Sequence, residues 1–207
     1  MTNGINQCER TARAEGLATG LMLALDGLNV LAMAPGRYAA VPAKIAPDEL
    51  PVATHSLAGL EDIVLVDRGR PATGDASTVS GRAELLVFGQ RLAAVRLGLT
   101  RRLLDAATEH LSNRTGGDEP LVRKQMVTGM IADIIAGIEL LRAYASGLPT
   151  AGAPQASLAD LHAKITELDL EVIRLFAAAG FIADHPVRAL YVSALVANTW
   201  MPEGADQ

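Results

Sequence analysis

One cysteine, Cys8, stands in the 207-residue chain. That excludes an internal disulfide and any cysteine-built metal cluster, and makes a reducing cytoplasm the expected setting. Aromatic residues are only 3% of the sequence, so the Ala- and Leu-rich remainder suits tightly packed helices better than a ring-stacking surface. Basic charge is not in excess either. The formal net charge is −5, which argues against a phosphate-backbone partner, because nucleic-acid binding asks for a basic face. No apolar run reaches the ~20 residues of a membrane-spanning helix, and the opening MTNGINQCERTAR has no apolar core before its first arginine, so no secretory signal is expected.

Catalytic signatures are missing as well. His55, His110, His162 and His185 are too scattered for a ligand pair at helical spacing and read as ordinary surface histidines. Ser112, Ser146 and Ser193 lie in no nucleophile elbow, and no P-loop or strand-linked GxGxxG occurs. Cys8 reads as a plain thiol near a loose terminus.

What the chain does have is hydrophobic periodicity. Half of its residues are hydrophobic, and its length allows one domain with a sound core or a domain plus an appendage. The stretch from Gly98 to Glu139 reads as a helical hairpin. Leu92, Val95, Leu99, Leu103, Ala106 and Ala107 form one stripe, with Arg96, Arg101, Arg102, Asp105 and Glu109 expected to point mostly to solvent. Asn113 to Pro120, with two glycines, an Asp and a Pro, breaks the helix. In the second helix Met126, Met130, Ile134, Ile138 and Leu141 share one side, and Val127, Ile131 and Ile135 add a second row. This helix is therefore expected to be the inner member of a bundle.

Before the hairpin, short apolar runs broken by Gly and Pro predict strands over Leu28 to Ala34, Arg37 to Val41 and Asp62 to Val66, with Met22 to Leu25 ambiguous. TGDASTVS, from Thr73 to Ser80, reads as a linker. After the hairpin, the Gly- and Pro-containing stretch Ser146 to Ala156 is a loop. Ser157 offers a hydroxyl cap for a helix running to Ala179, Gly180 ends that helix, and Pro186 to Asn198 forms the last one.

Gly98, Arg114, Gln125, Ala132-Asp133 and Glu139 follow one another without a gap at the spacing of the C-terminal helical domain of the acyl-CoA dehydrogenases. Ala163-Lys164, Gly180-Phe181, Pro186-Val187 and Leu190 also resemble that family's last two helices and the turn between them. The resemblance covers the last three-fifths of the chain; the start is similar only to the back of the family's middle β-domain. It implies an α+β, mainly α fold: a small antiparallel β portion with an N-terminal arm over residues 1–79, then an up-and-down four-helix bundle over residues 80–207. The front of the β-domain and the family's N-terminal helical domain are expected to be absent.

The resemblance implies a flavoprotein oxidoreductase of lipid metabolism. In that family a Glu removes the α-proton of an acyl-CoA while FAD takes a hydride from the β-carbon. The two places where members carry that Glu correspond to Met201, beside Trp200, and to Phe88, and neither can accept a proton. Glu203 and Glu84 lie nearby, but a shift of two to four residues displaces a carboxylate by several ångströms. Arg114 and Gln125 match residues that reach the FAD diphosphate and adenosine side in a neighbouring subunit, and Gly180 keeps one glycine of the family's Gly-Gly. The family's turn aromatic is Gly117 here, the rest of its Gly-Gly is replaced by Ala177-Ala178, and its last-helix Arg-Asp reads Val192-Ser193.

The expectation is a truncated acyl-CoA dehydrogenase-like subunit, inactive alone, that pairs with itself or a complementary dehydrogenase chain and supports FAD and acyl-CoA there. Two alternatives stand: a divergent enzyme using a pocket near Trp200, Glu203 and Tyr191, and a self-associating structural remnant. Neither metal, nucleic acid nor membrane is expected as a partner.

Overall fold

A computed structural model describes residues 2–69, 79–149, 155–177 and 185–201. The chain begins with helices α1 (Thr2–Glu15), α2 (Leu17–Leu25) and α3 (Val30–Met33), then strand β1 (Tyr38–Pro42). Strand β2 (Val52–Ala53), helix α4 (Ser56–Gly59) and strand β3 (Ile63–Asp67) follow, and β3 lies between β1 and β2 in an antiparallel sheet. The rest is helical: α5 (Val79–Ser112), a small hairpin of β4 (Thr115–Gly116) and β5 (Glu119–Pro120), then α6 (Gln125–Gly147), α7 (Gln155–Leu175) and α8 (Arg188–Trp200). The fold is thus mainly α with a small antiparallel sheet, as expected.

Two of the three expected strands form and pair, with Ala39 opposite Val66 and Val41 opposite Val64. The third does not: Leu28 to Ala34 contains helix α3. The Asn29 side chain accepts a hydrogen bond from the Ala32 amide, and the Asn29 amide donates to Glu84. An N-cap carboxamide at the start of an apolar run favours a helical turn, and the run carried no turn signal strong enough to say so. The ambiguous Met22 to Leu25 is helical within α2.

The N-terminal arm is also ordered. Helix α1 packs along α5, burying Cys8 and Ala12, so Cys8 is a core residue whose thiol pKa burial raises. Its approach is close because Gly98 and Gly20 lack side chains. A Cβ on Gly98 would overlap the Glu9 carbonyl oxygen, and one on Gly20 would lie 2.7 Å from Ala12 Cβ. Gly16, at φ 96°, makes the bend from α1 to α2.

The inner helix is α5, not α6. Leu92 to Thr100 of α5 are buried without interruption, with Arg96 and Thr100 among them. Helix α6 buries one stripe, Ile134, Ile138, Leu141 and Ala145, and leaves Met126, Ile135 and Leu140 exposed. Its two apolar rows suggested double-sided packing; in the second row Val127 and Ile131 are partly buried against the core and only Ile135 is exposed. Helix α7 begins at Gln155, so Ser157 lies inside its first turn rather than at its cap. The expected linker from Thr73 lies outside the described residues through Thr78, with Val79 and Ser80 already helical.

Candidate functional site

The two positions that the resemblance assigns to a catalytic carboxylate sit at the same end of the bundle and are filled with apolar atoms. Phe88 and Met201 are buried, and Phe88 meets the Trp200 ring edge-on at 4.8 Å. The Met201 methyl group and a Leu158 methyl group both close over Gly89, within 2.7 and 2.9 Å of where its Cβ would be. Trp200 is buried and donates its indole N–H to the Ala40 carbonyl at 2.9 Å, which ties the end of α8 to β1. A buried indole finds such a partner or loses stability. Among the described residues no acid stands in this cluster: Glu84 accepts from the Asn29 amide instead, and Glu203 and Gly180 lie outside the described residues.

The other end of α5 is polar. Arg114 follows the last turn of α5, exposed, with its carbonyl accepting from the Leu121 amide. Among the described residues no carboxylate pairs with it. Gln125 is exposed as the first residue of α6, whose N-cap Lys124 provides no side-chain cap for the first backbone N–H groups of the helix. Asn113, beside Arg114, lines a cavity of about 280 Å³ with Ala106, Glu109, His110, Phe176, His185 and Pro186.

In that cavity Phe176 stands between two imidazoles, 5.8 Å from His110 and 4.7 Å from His185. His185 Nδ1 accepts from the Val187 amide, and burial followed by the nearness of His110 lowers its pKa. His110 Nε2 is buried without a hydrogen-bond partner. An Arg without an ion pair among the described residues and a helix start without a side-chain cap are groups of the kind a nucleotide diphosphate takes. Their scattered spacing had made His110 and His185 read as ordinary surface histidines. Their 75-residue separation hid that the bundle brings them together.

The sequence also misplaced Arg96 and His162. Both are buried between α5 and α7, where Arg96 donates to the His162 carbonyl at 2.8 Å and to Thr166 Oγ1 at 2.7 Å, and forms an ion pair with Asp169. The charges from 96 to 109 are therefore not one solvated face.

The family model described as "Acyl-CoA dehydrogenase, C-terminal domain" matches residues 88–207. The chain therefore belongs to the acyl-CoA dehydrogenase family. No curated protein matches it in sequence. Among solved structures, the Tcur3481-Tcur3483 steroid ACAD variant is 21% identical, with a TM-score of 0.55 over 73% of this chain and 44% of that one. Butyryl-CoA dehydrogenase from Megasphaera elsdenii is 20% identical, with a TM-score of 0.52 over 72% and 43%. The ChsE4-ChsE5 complex from Mycobacterium tuberculosis is 17% identical, with a TM-score of 0.53 over 73% and 44%. At these identities the likeness is one of fold, and the chain spans less than half the length of the structures it matches. Among the described residues no helix is long and apolar enough to cross a membrane, and no cluster of acids, His or Cys could hold a metal ion.

Proposed function

We propose that this chain is a non-catalytic subunit of an acyl-CoA dehydrogenase assembly, acting in lipid or steroid breakdown, that lends Arg114 and Gln125 to the FAD of a partner dehydrogenase chain. The carrying observation is the contrast between the two ends of α5. Where the family places its base, Phe88, Trp200 and Met201 fill the space; where it contacts a neighbour's cofactor, Arg114 and the start of α6 stand open. FAD, when bound, would supply the hydride acceptor. This chain's residues would hold its diphosphate side, Arg114 by charge-assisted hydrogen bonds and α6 by its N-terminal amides, with the His110–His185 cavity beside them. The partner would supply the ring contacts and the base. The resemblance to two-component steroid enzymes supports a lipid or steroid thioester as the assembly's substrate.

Flavin absorbance of three samples tests this: the chain alone, the partner dehydrogenase alone, and the co-purified pair. The first should be colourless and the third should hold more flavin than the second. Arg114→Ala should reduce that gain, because an Arg–phosphate contact is worth ~1.5–3 kcal/mol. An unchanged partner in the third sample would sink the lending of Arg114.

A further inference from the structure

A cavity of about 320 Å³ opens where four parts of the chain meet: the bend from α1 to α2, the turn from α4 into β3, the middle of α5 and the start of α8. Its apolar lining comes from Leu17, Leu99 and Leu103, each at most 3% exposed, while Leu60, 52% exposed, stands at the mouth. The volume lies at the small end of ligand pockets, ~300–1,000 Å³.

Five charged side chains line the same space, and they do not cancel among themselves. Arg188 and Glu61 neutralise each other, with Arg188 Nε donating to Glu61 at 2.7 Å. Arg102, Glu15 and Asp62 form no ion pair among the described residues. Arg102 reaches only the Ala14 carbonyl, at 3.5 Å, too long for a good hydrogen bond. A cation and two acids thus border one cavity while standing beyond the ~4 Å of a direct pair. Asp62 is held there by a closed turn at φ 55°, its amide donating to the Gly59 carbonyl and its carbonyl accepting from the Ala43 amide.

The charges select among ligand classes. A simple anion would satisfy Arg102 but set its charge against Glu15 and Asp62, and a simple cation would satisfy the acids but leave Arg102 unmet. A small zwitterion meets both. We propose that this cavity binds a free α-amino acid with an apolar side chain of about leucine size. Its carboxylate lies on the Arg102 guanidinium, which takes a carboxylate through two parallel hydrogen bonds. Its ammonium lies between Asp62 and Glu15, and its side chain rests on Leu17, Leu99 and Leu103. The site includes neither Arg114 nor Gln125 and needs neither flavin nor a second chain, so it stands apart from cofactor lending. Occupancy would tie the N-terminal arm, through Glu15 and Leu17, to α5.

Isothermal titration calorimetry of the full, flavin-free chain tests this with three probes. L-Leucine carries both charges, 4-methylpentanoate keeps the carboxylate and skeleton without the ammonium, and 3-methylbutylamine keeps the ammonium without the carboxylate. L-Leucine should bind, and each single-charge analogue should bind at least tenfold more weakly, because it leaves one side of the site unpaired. Arg102→Gln and Asp62→Asn should each weaken L-leucine at least tenfold. Both positions are exposed and Asn tolerates the left-handed backbone at 62, so circular dichroism should not change. Hydrogen exchange should slow at Gly16–Ala18 when L-leucine is present. Absence of binding at every soluble concentration would overturn the proposal. So would 4-methylpentanoate binding as tightly as L-leucine, or L-leucine binding that neither substitution alters.

Discussion

Arg96 and Asp169 form an ion pair at 3.3 Å in the middle of the bundle, with side chains 0% and 4% exposed. The pair joins α5 to α7 and is surrounded by hydrogen bonds: Thr100 Oγ1 donates to Asp169 at 2.6 Å, and Arg96 reaches the His162 carbonyl and Thr166. Arg96 Nε has no partner. Burying two charges costs about as much as their attraction returns, whereas removing one partner strands the other. Arg96→Met should therefore lower unfolding stability by ~3–5 kcal/mol. Arg96→Met combined with Asp169→Leu should recover most of that loss. Urea unfolding of the wild type, Arg96→Met and the double variant measures both; a double variant no better than the single would mean that the hydrogen bonds, not the charges, dominate.

His162, stacked into the same cluster, gives the bundle an acid sensitivity. Burial, and secondarily the Arg96 charge, lowers its pKa from 6.5 to about 3, while burial raises that of Asp169 from 3.8 to about 6 despite Arg96. The signs oppose each other. A base whose folded pKa is depressed stabilises fully above ~6.5 and loses that contribution as pH falls toward 3. An acid whose folded pKa is raised disfavours folding above ~6, and that penalty fades as pH falls toward 3.8. In the wild type the two partly cancel between pH 6 and 4. In His162→Gln only the Asp169 effect remains, so whatever stability the variant gives up at pH 7 should shrink relative to wild type as pH falls from 6.5 to 4. Urea midpoints across that range read the difference, and a constant gap would show that His162 does not change protonation on unfolding.

Gly98 is a third test, of packing rather than charge. The backbone of α1 passes so close that any Cβ at Gly98 would overlap the Glu9 carbonyl oxygen. The displacement would also strain the ion pair between Glu9 and Arg142 that links α1 to α6. Gly98→Ala should cost ~1–3 kcal/mol, since overpacking against a backbone finds no flexible side chain to yield. Hydrogen exchange should show the loss concentrated in α1. Unaltered protection there would mean that α1 does not need this approach.

These residues also show what the sequence could and could not reveal. The hairpin of α5 and α6 was legible because its apolar residues repeat at helical steps and a Gly- and Pro-containing break divides them. The pairing of β1 with β3 was legible from short runs bounded by turn residues. Arg96 was not, because a helix buried on all sides shows no polar face, and a charge there looks like a solvated one until its partner, 73 residues away, is placed beside it. The order of α1 escaped for the same reason: its burial depends on Gly98, far along the chain. At the candidate site, the filling of the base positions could be read from Phe88 and Met201 alone. The joining of His110, Phe176 and His185 required the fold.

Phe88 and Trp200 pack edge to face, Met201 closes over Gly89, and among the described residues no carboxylate joins them to take an α-proton. The chain alone should give no dye-coupled oxidation of short, medium or branched acyl-CoAs. Nor should Met201→Glu restore it, although that substitution returns a carboxylate to the family's place. Among Phe88, Trp200 and Leu158 an acid is desolvated, so its pKa rises and it is neutral at pH 7, a poor base in a destabilised fold. Circular dichroism melts should show Met201→Glu less stable by ~2–5 kcal/mol, the scale for burying an unpaired polar group in a core. Steady turnover by the wild-type chain, abolished by Glu203→Gln, would show instead that the base has moved along the chain and that this subunit is an enzyme in its own right.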